Sequence, residues 1–256
     1  MNPHRRLQIA LPAASALIFV AGVCAAADVP ASAPRAAYPK GHYAALDALP
    51  DWGGIWTLTP VPGVKRETPT LKGRYLAEYQ AFQKDAEANH GKPRRKTSNC
   101  TPPGMPYLMG VAQYPIEFLF TPGRVTLHHE AWMQWRVIYT DGRPHPDTEP
   151  SFNGHSIGRW EGDSLVVETV GIKESVPLMP GMYHSDKIRI TERFALDPKD
   201  ADIMRVTITV EDPEALEKPY TNTLTFTRSR DADLLEFICA ENDRNPVDVT
   251  GETLFE

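Results

Sequence analysis

The chain has 256 residues, a formal net charge of −6 and 24 prolines. An acidic balance argues against nucleic acid as a partner. The length admits one sizeable β domain or two small ones, and frequent proline suits a loop-rich β protein.

Arg5 and Arg6 precede a mostly apolar run, Leu7 to Val23, which ends in Ala25-Ala26-Ala27. This is the pattern of an export signal, with cleavage expected after Ala27. The run is short for a membrane span, so no stable membrane insertion is expected once residues 1–27 are gone. Loss of the two arginines from 27 basic against 33 acidic residues takes the charge to −8. Residues 28–50, rich in Ala and Pro, read as a weakly ordered leader, with residues 51–256 as a single domain. The expected location is periplasmic or secreted. Removal of Cys24 leaves Cys100 and Cys239, and an isolated pair in an oxidising compartment is most simply a disulfide.

The first strand is expected at Asp51 to Leu58. Residues 70–90 carry the one good helical pattern, with Leu71, Tyr75, Tyr79 and Phe82 on one face and Gly91 and Pro93 ending it. Lys92 to Lys96 is a basic run that reads as a solvated loop. Strands then follow near 116–121, 124–131, 134–140, 155–161, 164–172, 186–196, 203–211, 222–229 and 234–240. Pro122-Gly123, Asp141-Gly142, Glu161-Gly162-Asp163, Asp197-Pro198 and Asp212-Pro213 separate several of them. The 173–185 link is long enough to act as a lid. These elements predict an all-β, antiparallel barrel of about 8–10 strands with one N-terminal helix.

Five of the eight histidines, His128, His129, His145, His155 and His184, fall between residues 124 and 196. Glu130 and Glu192 stand in strand-like runs where an apolar residue is expected. In 186–196, Ile188, Ile190, Glu192 and Phe194 share a face opposite Lys187, Arg189, Thr191 and Arg193, which makes Glu192 the misfit on the dry wall. His129 points away from His128, and His145 in Arg-Pro-His-Pro reads as a turn residue. The catalytic candidates are therefore His155, His184, Glu130 and Glu192, with His155 or His184 as the base near neutral pH. Arg136, Tyr139, Trp160 and Phe194 are candidate ligand-binding residues on a barrel wall.

That set suits general acid–base chemistry of the lyase, isomerase or hydrolase type on a small apolar or aromatic ligand. The alternative is a non-catalytic periplasmic binding protein for such a ligand. A metal site built on His128 and Glu130 is a weaker reading, and no metal is assigned. There is no nucleophile elbow and no nicotinamide or flavin fingerprint, so no cofactor is expected.

Gly54-Ile55-Trp56, followed by a run of antiparallel strands, resembles the calycin superfamily, which includes the lipocalins. The resemblance implies a barrel with one end plugged by the Gly-x-Trp strand. The blocks CTPPGMP, FLFTPGRV, QWRVIYTDGRPHP, NGHSIGRWEGDSLVVETVG and HSDKIRITERF are similar to those of a group of uncharacterised secreted bacterial proteins. That likeness implies export and a shared architecture, and no activity.

Overall fold

Period-two alternation of apolar and polar residues lets each strand bury one face, and closing such strands on themselves removes the unpaired edges. The computed structural model describes residues 43–91, 100–111, 114–147 and 149–239. The expected export signal, most of the expected leader and the Lys92–Lys96 run lie outside the described residues. All the described residues belong to one compact unit, 38–256.

Nine strands form a closed barrel: β1 (Ile55–Leu58), β2 (Ile116–Thr121), β3 (Arg124–His129), β4 (Gln134–Tyr139), β5 (His155–Glu161), β6 (Ser164–Val170), β7 (Arg189–Asp197), β8 (Asp200–Glu211) and β9 (Tyr220–Ser229). Pairing of β1 with β9, Ile55 opposite Ser229, closes the ring. Among the described residues one α-helix, α1 (Gly73–Ala88), packs outside it, with Tyr75 buried and Phe82 against the backbone of Gly181. Residues 232–238 form no strand, contrary to expectation. Because β9 already pairs with both β8 and β1, the barrel has no edge left for another strand to join.

The wholly antiparallel arrangement needs correction at one seam. β4 and β5 run parallel, with Ile138 opposite Ser156 and Tyr139 opposite Ile157. Antiparallel strands can be joined by a tight turn, but parallel strands need a crossover. The described residues between β4 and β5 therefore travel back along the outside of the barrel from the end of β4 to the start of β5. Thr140 N–H donates to the Gly123 carbonyl at the start of this path. Near its finish Ser151 forms a parallel bridge with Ile172.

One barrel end is filled by aromatic rings. Trp52 lies with ring centroids 5.1–6.1 Å from Phe118, Phe120, Trp160 and Phe194. Just behind it Arg228 stacks over Trp56 at 4.9 Å and donates to the carbonyls of Asp51 and Ala201, both at 2.7 Å. At the other end β3 hands over to β4, and the connecting loops bury Met105, Leu108, Met109, Val176, Leu178 and Met182. Between the two plugs most of the wall is apolar, with Leu127, Ile138, Leu165, Ile190 and Val206 fully buried.

Candidate functional site

The β4–β5–β6 wall carries polar clusters on both of its faces, back to back. On β4, Arg136 and Ile138 point inward while Trp135, Val137 and Tyr139 point out. On β5, Ser156 points in and His155 out; on β6, Thr169 points in and Glu168 out. Strand alternation thus separates the polar groups into an inner and an outer set.

The inner set is centred on Arg136, 1% exposed. Its guanidinium makes a forked pair with Glu192, donating from Nη1 at 3.0 Å and from Nη2. Nε donates to Ser156 Oγ at 3.2 Å, and Nη2 also to Thr169 Oγ1 at 2.9 Å. Both charges are taken out of water, which costs several kcal/mol per ion before their attraction offsets it. The forked geometry and the two hydroxyls are what make the pair tolerable. Close by, His129 is fully buried and its Nε2 has no hydrogen-bond partner. Burial, then the charges of Arg136 and His128, push its pKa down to about 3. It stays neutral across the physiological range.

The outer set is a relay. His145 arrives on the crossover, its Nδ1 2.8 Å from His155 Nδ1 and its Nε2 3.2 Å from Glu168 Oε1. Arg189 forms an ion pair with the other oxygen of Glu168. Burial acts to raise the Glu168 pKa, but hydrogen bonding and charge from Arg189, joined by His145, outweigh it and hold the group below the usual carboxylate range. A carboxylate accepts, so the proton of His145 is assigned to Nε2 and its Nδ1 becomes an acceptor. His155 must then donate from Nδ1, which leaves its Nε2 as a basic nitrogen. That nitrogen has no hydrogen bond among the described residues. Burial, then His145 and Arg143, lower the His155 pKa. Tyr139 stacks on the His155 ring at 5.1 Å, and Arg143 lies 3.9 Å over Tyr139. Arg143 is held in turn by Asp141, at 2.9 and 3.0 Å from Nε.

The expected residues therefore divide. Arg136 and Glu192 meet inside the barrel; His155 and Tyr139 meet outside it; Trp160 and Phe194 belong to the aromatic plug. Glu130 leaves the strand, because the chain turns into a helical conformation there, and its carboxylate accepts from the Leu235 amide at 2.7 Å. It no longer shares a face with His128, whose ring stacks beneath Trp135. His184 is buried in the 171–188 connection. Its Nδ1 donates to the Ser185 carbonyl at 2.7 Å, and its Nε2 is unpartnered. Burial lowers its pKa against the opposing pull of the Ser185 carbonyl, Asp212 and Glu174. His155, His184, Glu130 and Glu192 are thus not brought into one pocket.

Glu168, Arg189, His129, Ser156 and Thr169 carry interactions that sequence reading did not assign. Glu168 had a usable signal: it is the lone charged residue in Ser164–Val170, on the same face as Ser164 and Val166. Cys100 and Cys239 form the disulfide, with Cα atoms 5.4 Å apart. No protein-family model matches the chain, and no curated protein matches it either.

Proposed function

We propose that the chain is an exported, calycin-like barrel enzyme of the general acid–base kind, working at His155. The observation that carries this reading is the Glu168–His145–His155 relay, which ends in a basic nitrogen without a partner. When His155 Nε2 takes a proton from a substrate or from water, positive charge develops on the imidazole. The Nδ1–H bond to His145 fixes the tautomer that leaves Nε2 free to accept the proton. Glu168 acts by its field and by fixing the His145 tautomer, because Arg189 keeps it ionised. Tyr139 holds the imidazole plane by stacking. Proton transfer of this type supports lyase, isomerase or hydrolase chemistry without a covalent intermediate.

The disulfide supports an oxidising, extracytoplasmic location. The Gly54-Ile55-Trp56 strand and the buried Trp52 plug support the calycin-like reading. The second reading, a binding protein with an interior ligand, gains less support, since aromatic rings fill one barrel end and an Arg–Glu pair stands in the wall beyond it.

A panel of aryl esters, epoxides and enolisable ketones, offered to the mature disulfide-bonded protein, tests the enzyme. The expected result is turnover that falls at least ~100-fold in His155→Gln, with the melting temperature unchanged. Turnover that survives His155→Gln would overturn the assignment. Saturable binding across the panel without turnover would favour the binding protein.

A further inference from the structure

Among the described tryptophans, Trp135 is the exposed one, at 51%. A tryptophan left in water on a sheet face is informative, since burial is where its large apolar area gains most. This indole is also held in place. His128 lies parallel beneath it, with ring centroids 3.8 Å apart and a 6° tilt, so one face is covered and the other is presented. Asn153 Nδ2 donates to the Trp135 carbonyl at 3.4 Å and fixes the strand there.

Its position relative to the base follows from the register. Ile138 pairs with Ser156, so Val137 stands beside His155, and the Asn153 side chain reaches the Trp135 carbonyl just before β5 begins. Trp135, Val137 and Tyr139 line the same outer face, and Trp135 sits about 8 Å from His155 by strand rise and strand spacing. Met133, two residues before Trp135, is 40% exposed. It is presented by a backbone that Trp132 and Met133 both hold at positive φ, 54° and 49°. Two consecutive non-glycine residues in that region store strain, which concentrates where a segment must present a side chain in one way. The Trp132 ring anchors the segment by packing on Tyr114 and Phe237.

We propose that Trp135 and Val137 form a stacking ledge beside His155 that takes a planar aromatic small molecule. This rests on the reading of His155 as the base, and it names the substrate class of that site. A planar ring lying on the free face of Trp135 and running over Val137 reaches His155. A saccharide is the poorer fit, because its hydroxyls would lie on the apolar Val137.

Binding can be read without turnover, by NMR on the mature disulfide-bonded protein titrated with 2-naphthol. The Trp135 indole N–H and the His155 ring signals should shift together along one saturable curve. Trp135→Ala should weaken binding at least ~10-fold and Trp135→Phe much less, since a smaller ring still stacks. The saturated analogue decahydro-2-naphthol and methyl β-glucoside should leave both signals in place. Absence of the 2-naphthol shifts would overturn the ledge. So would equal shifts with the saturated analogue or the glucoside, or shifts at Trp52 and Trp160 instead. The two readings fail separately. Binding of 2-naphthol that persists in His155→Gln supports the ledge even if no turnover is found. Turnover lost in His155→Gln but with KM and kcat unchanged in Trp135→Ala removes the ledge alone.

Discussion

His145 Nδ1 lies 2.8 Å from His155 Nδ1, although the two residues belong to opposite ends of the crossover between β4 and β5. One ring is carried by an irregular loop and the other by a strand, and Glu168 on β6 completes the line. The contact exists because β4 and β5 are parallel, so the connecting chain must pass back over the barrel's outer face.

The first prediction concerns that pair. His155 must be neutral to accept a proton, and burial, His145 and Arg143 all lower its pKa. Carbethoxylation of His155 by diethyl pyrocarbonate should therefore be at its plateau at neutral pH and decline only on the acid side of the ordinary histidine range. His145→Gln removes one of the neighbours that lower the His155 pKa, so the declining limb should move to higher pH. Rates followed by peptide mass spectrometry check this. An unmoved limb in His145→Gln would show that the two rings are not electrostatically linked.

A second prediction concerns acid stability. The His129 pKa is about 3 in the folded chain, against 6.5 for an ordinary histidine. Between these values the unfolded chain binds a proton that the folded chain does not. Stability is therefore retained above about pH 6.5 and falls by about 1.4 kcal/mol per unit as the pH drops below it, until the folded-state pKa is reached. His184, also lowered by burial, acts in the same direction. Denaturant unfolding from about pH 6 to about pH 4 should show a shallower slope in His129→Gln than in the parent chain. Equal slopes would refute the assignment to His129.

The Arg136–Glu192 pair gives a third. Glu192→Gln leaves a buried guanidinium without its counter-charge and should cost about 3–5 kcal/mol. The double variant Arg136→Met/Glu192→Leu should recover most of that loss, because no charge is then left inside the barrel. Unfolding free energies of the three chains decide the matter. A loss below about 1 kcal/mol in Glu192→Gln would mean that water reaches the pair.

A fourth concerns the segment after β9. The Cys100–Cys239 bond closes a separation of 139 residues. In the chain-entropy model a loop of that size is worth about 3–5 kcal/mol. Cys100→Ser/Cys239→Ser should lower stability by that order. It should also speed hydrogen exchange at the Leu235 amide, which donates to Glu130. Unchanged exchange there would show that Glu130 and the packing of Phe237 on Trp132 suffice to hold the segment.

Much of the barrel was legible from alternation. The dry and wet faces of β7 fall as the sequence implies, with Ile190, Glu192 and Phe194 buried and Arg189 and Arg193 exposed. The misfit Glu192 was visible for the same reason, and so was Arg136 as a wall residue. The parallel seam was not legible, because strand runs look alike whichever way they pair. Nor was the departure of Glu130 from its strand, since the positive φ angles at Trp132 and Met133 that follow it match no residue preference.

By itself, then, the sequence determined a β-barrel, the disulfide partners and which residues of a strand share a face, since these depend on local period and on a count of cysteines. Only the tertiary structure decided which of those residues meet. Glu192 found Arg136 across the barrel, and His155 found His145 and Glu168 outside it. Those contacts depend on strand order, on register and on the path of one crossover, none of which is written in the local spacing of residues.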